Sequence, residues 1–208
     1  MKFGPIAIEN AEGAILAHAT HAGEKRFRKA HRLTAEDLKD LAEAGVREVI
    51  AARLEPDDLD EDEAARRIAA ACRAANVEAR PPSTGRVNIH ATEAGVFLVD
   101  RKIVDAVNGI DPAITLATLN PYAPVEAGQM VATVKIIPFA VAENLVAQAE
   151  NACRAGDIFF VRPFAPRRVG LIQTTLPGVK ASVLDKTARI TEARLARSAS
   201  RIAGGLRP

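Results

Sequence analysis

The stretch that most limits how this chain can fold is RRVGLIQTTLPGVKASVLDKT, Arg167 to Thr187, where strand, loop and helix start follow one another without interruption. Val169 to Ile172 is a short apolar run with no polar alternation. That is the pattern of a strand covered on both faces, and such a strand demands helices on either side. Thr174, Thr175, Pro177 and Gly178 break the pattern. Ser182 or Asp185 can then cap a long helix whose apolar residues Leu184, Ala188, Leu195, Ala199, Ile202 and Leu206 fall at helical spacing. The reading is the first βα unit of an open α/β sheet. In such sheets ligands settle beyond the carboxyl ends of the strands, where free N–H groups and the helix dipole favour phosphate. The candidate ligand-binding residues are accordingly Thr174, Thr175, Gly178, Lys180, Ser182 and Asp185. The plainer alternative is a connection in which Pro and Gly supply a turn.

The rest of the chain reads as platform. Phe3 to Ile8 and Ala14 to Ala17 are short strands, and the basic run Lys25 to Arg32 is a solvated strand or hairpin face, with contact to a phosphate-bearing ligand as the sharper option. Thr34 and Asp37 open a capping box, Gly45 closes that helix, and Val46 to Leu54 follows as a strand. The carboxylates from Asp57 to Glu63 belong in the first turn of a helix rather than at a metal, with Asp60 as cap, Glu63 paired to Arg67, a buried stripe from Ala64 to Ala75, and Asn76 as the end.

Pro81 and Pro82 mark the expected internal boundary. Beyond it, Arg86 to Thr92 and Val96 to Asp100 read as a hairpin, and Arg101 to Asn108 as a helix. Ile114 to Leu119, Ala123 to Val125 and Met130 to Ile137 read as strands, Val141 to Ala155 as a helix, and Asp157 to Val161 as a strand. The expected fold class is α+β: an α/β region over residues 1–80, a β-rich region over 81–166 with a helix at 141–155, and the start of an α/β domain over 167–208.

Catalytic constellations are absent from the pattern. His18, His21, His31 and His90 have no partner at metal-ligand spacing, and no nucleophile elbow, Walker loop or dinucleotide fingerprint occurs. Glu126 to Lys135 has the outline of a lipoyl or biotinyl carrier hairpin, but Lys135 falls along the strand rather than at its tip. A net charge of +2 is too small to argue for nucleic acid, yet it is compatible with a small anionic ligand at a local basic patch. No apolar run is long enough for a membrane helix, and no leader is evident after Met1. Cys72 and Cys153 read as reduced, buried thiols, so the expected location is the cytoplasm.

Four segments taken in order, KRFRKAHRLTAEDLKDLAEAGVREVIAARLE, TGRVNIHATEAGVFLVD, ITLATLNPYAPVEAGQMVATVKIIPFAV and RPFAPRRVGLIQTTLPGVKASVLDKT, resemble the bacterial molybdopterin-binding proteins related to molybdopterin molybdotransferase, of the MoeA-like type. The resemblance implies a β-rich region followed by an α/β domain that binds molybdopterin, an anionic pterin, in molybdenum cofactor biosynthesis. In some bacteria such a region is fused to a nucleotidyltransferase. By position, Thr174 and Thr175 match the threonines that end the first strand of that domain, and Asp185 the acid that opens its helix. Leu176, Pro177 and Gly178 stand where relatives carry Gly-Asn-Glu. Relatives also continue for further α/β elements, which makes this chain the N-terminal part of a longer protein, with Mg²⁺ implied only for the complete one. Two alternatives stand beside the pterin-binding module. One is a structural or dimerisation domain pairing through the C-terminal helix; the other is a fragment of a molybdotransferase or nucleotidyltransferase fusion whose catalysis needs the whole.

Overall fold

The computed structural model describes residues 1–208. Its fold is α+β, with five α-helices and several small sheets. The chain opens with β1 (Lys2–Ala7), β2 (Ile15–Leu16), β3 (Thr20–Ala22), β4 (Lys25–Phe27), α1 (Ala35–Glu43) and β5 (Glu48–Arg53). Strand β5 lies between β1 and β2, antiparallel to both, and β3 with β4 forms a hairpin beside them. Helix α1 starts where the pattern places it. The Thr34 hydroxyl accepts from the Asp37 N–H, the Asp37 carboxylate accepts from the Thr34 N–H, and Gly45, at φ +80°, ends the helix. Ile8, Leu16, Phe27, Leu33, Leu41 and Val49 are the larger members of this unit's core. In the basic run, Phe27 is buried and the Lys25 ammonium sits 4.9 Å from its ring centroid, so the run is a local structural face.

The second part runs through β6 (Asp58–Asp60), α2 (Glu61–Ala71), β7 (Arg73–Ala75), β8 (Val77–Ala79), β9 (Arg86–Ala91), β10 (Gly95–Val99), α3 (Arg101–Asn108), β11 (Ile114–Thr118), β12 (Pro124–Val125), β13 (Met130–Ile136), β14 (Ala140–Ala142), α4 (Glu143–Arg154) and β15 (Asp157–Pro163). Two four-stranded sheets, ordered β12-β10-β15-β7 and β11-β13-β9-β8, are joined by the three helices. Helix α2 packs on β9 and β13, α3 on β11 and β15, and α4 against both α2 and α3. A single cluster of 25 buried residues from Ala64 to Val161 fills the interior, with Phe97 and Phe159 at its centre and their ring centroids 6.2 Å apart.

Several expectations change here. Pro81 and Pro82 are not a boundary: they lie in the connection between the paired strands β8 and β9, and the buried cluster runs across them. The break between cores falls instead between Ala51 and Ala64. Strands β9 and β10 are not a hairpin, since they belong to different sheets. Gly95 starts β10 directly against β15, where a Cβ would meet the Arg162 carbonyl oxygen at 2.2 Å. That close approach, rather than a turn, is what requires glycine. Helix α2 ends at Cys72, not Asn76; Ala75 is exposed in β7, and Asn76 takes φ +57° while its amide donates to the Val161 carbonyl. Glu63 pairs with Arg66 rather than Arg67, because Arg67 reaches across to Glu143 and Glu150 of α4.

The third part is β16 (Arg168–Ile172), α5 (Ala181–Ala196) and β17 (Arg201–Leu206), with β16 and β17 paired in parallel. A βαβ unit therefore replaces the single βα unit expected. Ile202 and Leu206 belong to the second strand, not to the helix. The helix stops without glycine: Ala199 takes the left-handed conformation at φ +52°, and the Ser200 N–H turns back to the Leu195 carbonyl. Strand β16 is not covered on both faces. Ile172 is 70% exposed, and α5 contains no buried residue.

Candidate functional site

The loop that follows β16 is tied at its base by β17. The Gln173 N–H donates to the Leu206 carbonyl at 2.9 Å, and the Thr175 N–H and hydroxyl both donate to the Pro208 carbonyl. The Gln173 side-chain amide donates to the Leu184 carbonyl at 2.7 Å, fixing the loop to the first turn of α5. The Arg207 guanidinium then closes the arrangement, donating to Gln173 Oε1 at 3.1 Å and to Asp185 at 2.6 Å. Gly178 sits at φ +89° with open space where a Cβ would stand, so its role is the backbone conformation of the turn before the helix.

Lys180 is the N-cap of α5 and provides no side-chain acceptor, which leaves the Ala181 and Ser182 N–H groups without an intramolecular partner. These are the groups an anion uses at a helix N-terminus. Of the residues expected at the site, Thr174, Gly178, Lys180 and Ser182 are exposed. Thr175 is committed to Pro208. Asp185 lies in the second turn, where its carboxylate is held by Arg207; neither it nor Ser182 caps the helix. Gln173 and Arg207 were not singled out by the sequence. No signal could have found Arg207, because the pattern assigned its surroundings to a helix.

The groups exposed beside the start of α5 are hydrogen-bond donors. Two backbone N–H groups, the Thr174 and Ser182 hydroxyls and the Lys180 ammonium suit phosphate oxygens. Leu176 and Val179, both exposed, offer apolar contact to a ring. The polar edge of a pterin finds no free carboxylate, since Asp185 is engaged and Leu176, Pro177 and Gly178 are apolar.

A separate cleft of about 490 Å³ lies between the first and second units, lined by Lys29, Glu61, Thr84, Lys135 and Phe139 among others. The Lys29 ammonium is 5.8 Å from the Phe139 ring centroid. Burial, reinforced by Asp62, raises the Glu61 carboxyl above its ordinary range, while Lys135 and Lys29 pull the other way. No hydrogen bond fixes the Lys29, Glu61 or Lys135 side chains, so the cleft lacks the held geometry of the β16 loop. No group of three or more His, Cys, Asp and Glu side chains converges anywhere in the chain. His31 Nε2 donates to the Asp37 carboxylate at 2.8 Å and serves the α1 cap.

Fold and site together define an α+β protein whose last unit is a small parallel βαβ with an uncapped helix N-terminus. Residues 5–53 match a family described as a domain of unknown function (DUF8806). The match coincides with β1 through β5 and thus with the first core. No curated protein and no solved structure matches the chain. No helix is long and apolar enough to cross a membrane.

Proposed function

We propose that this chain is a molybdopterin-binding module of molybdenum cofactor biosynthesis, holding the phosphate of an anionic pterin at the loop from Thr174 to Lys180. The observation that carries the reading is the pair of unpartnered N–H groups at Ala181 and Ser182, beside Lys180 and at the carboxyl end of a strand in a parallel βαβ unit. The residues bind and orient; the Arg207, Gln173 and Asp185 bonds keep the loop in the conformation that presents them. We place the module in the cytoplasm, a compartment that suits two free cysteines such as Cys72 and Cys153.

Titration with pyrophosphate and with a pterin phosphate, followed by calorimetry and amide chemical shifts, tests this. Saturable shifts confined to residues 174–185, weakened by added salt and by Lys180→Ala, are expected. Absence of any saturable change at those amides removes the reading.

A second reading is favoured by a specific observation. Ile172, Val183, Ile190 and Leu206 of the βαβ unit are all 40% exposed or more, and its two-stranded sheet has two open edges. Exposed edges and apolar patches recruit partners, so the unit would then be a dimerisation element completed by a second copy. Light scattering over a dilution series distinguishes the two: a monomer at all concentrations removes the dimer.

A further inference from the structure

Cys72 and Cys153 are far apart in sequence, yet the fold brings their sulfur atoms to 3.6 Å. Cys72 ends α2 and Cys153 lies in the last turn of α4, so the contact joins the carboxyl ends of two packed helices. Their settings differ. Cys153 is completely buried among the residues of the main core, whereas Cys72 is only partly covered. The Cys72 thiol has two acceptors, the Cys153 sulfur and, at 3.4 Å, the Ile68 carbonyl. Donation to Cys153, together with burial, holds Cys72 protonated; the same bond, with Arg154 nearby, favours the thiolate at Cys153.

Two buried thiols in contact can simply be small apolar side chains filling a core. Three features here go further. The sulfurs are close enough that rotation of the two side chains and a small shift of the helix ends would bring them to bonding distance. One backbone involved, that of Cys72, has already left the helix, with ψ +114°. Cys72 is partly exposed whereas Cys153 is fully buried, which makes Cys72 the residue an external disulfide meets first and Cys153 the resolving one.

We propose that Cys72 and Cys153 form a reversible disulfide, made by exchange with a low-molecular-weight disulfide such as oxidised glutathione. The Cys153 thiolate takes the Cys72 proton through the bond between them, which frees the Cys72 sulfur to attack one sulfur of the oxidant, forming a mixed disulfide and expelling one thiolate that is protonated by solvent. Cys153 then attacks the Cys72 sulfur, breaking the mixed disulfide and expelling the second thiolate, which takes up the proton of Cys153. The two protein thiols are oxidised by two electrons, and the external disulfide is reduced to two thiols. The cross-link falls where α2 leads into β7 and α4 leads into β15, the two strands that pair in parallel. Oxidation therefore fastens the edge strand of one main sheet to its neighbour.

The experiment is to equilibrate the full chain with a series of reduced to oxidised glutathione ratios, quench with an alkylating reagent, and measure intact and peptide masses. The expected product lacks two hydrogens, resists alkylation, yields one peptide pair linking Cys72 to Cys153, and reverts with reduced glutathione. Cys153→Ser should trap glutathione on Cys72, and Cys72→Ser should leave Cys153 unmodified. If Cys153→Ser does not fold, the wild-type masses and Cys72→Ser still decide. Wild-type protein that keeps a stable glutathione adduct on Cys72, or that retains two alkylatable thiols at the most oxidising ratio, overturns the proposal.

Discussion

Residues 64–161 and residues 167–208 are made of the same ingredients, strands alternating with amphipathic helices, yet only one of them has an interior. The eleven-residue helix α2 buries Ala64, Ala65, Ile68, Ala69 and Ala71, whereas the sixteen-residue α5 buries nothing. In the last unit the single buried residue is Ser200, whose hydroxyl accepts from the Arg167 N–H at 2.9 Å. Helical spacing is thus the same kind of signal in both, and the difference comes from what is available to cover it. Helix α2 has two strands and α4 as partners; α5 has two strands in a sheet too narrow to cover its apolar side chains.

The contrast can be broken by mutation. Phe97→Ala or Phe159→Ala removes a ring from the centre of the main core and should cost about 3–5 kcal/mol in urea unfolding. Leu195→Ala in α5, at a half-buried position, should cost less than about 1 kcal/mol. Equal costs would mean that α5 is covered in solution by something outside this chain, which would favour the dimer. Hydrogen exchange gives the same contrast by another route, with α2 and α4 amides protected to the global limit and α5 amides opening far more easily.

The first unit offers an intermediate case, a small core whose helix is secured by a buried polar group. Burial works to raise the Asp37 carboxyl, but the bond from His31 and those from the Thr34 N–H and hydroxyl outweigh it and bring the group from 3.8 to about 2. Because the folded value lies below the unfolded one, the stabilisation is fully present above about pH 4 and disappears as pH falls through about 2, with a size of about 2 kcal/mol. Acid titration of unfolding should show this loss in the wild type and not in Asp37→Asn, which is weaker at neutral pH. The smallest effect is expected at the surface of α5, where Ile190→Ser should change monomer stability by less than about 0.5 kcal/mol. A larger loss that depends on protein concentration would again reveal a partner.

Local signals were legible wherever the deciding interaction is short in sequence. The Thr34–Asp37 capping box, the Asp60 cap of α2, the closing residues Gly45 and Gly109, and the strand character of 114–118 and 130–136 all rest on bonds or periodicities within a few residues. The candidate loop was legible in the same way, as Thr, Pro and Gly after an apolar run. Its cation Arg207 was not, because the turn after α5 uses a left-handed alanine, Ala199, where no glycine announces a stop.

What the sequence determined by itself is therefore the five helices, the longer strands of the first two units, and the α+β class; the short strands β6, β7, β8 and β14 and the last strand β17 it did not give. The tertiary structure alone decided which strands pair, that Pro81 and Pro82 lie inside one packed unit, that Arg67 serves α4 instead of its own helix, and that Cys72 meets Cys153. The physical reason is the range of the forces involved. Caps and turns are bonded between neighbours, whereas burial and sulfur contact depend on surfaces brought together from distant parts of the chain, and no periodicity records which surface will arrive.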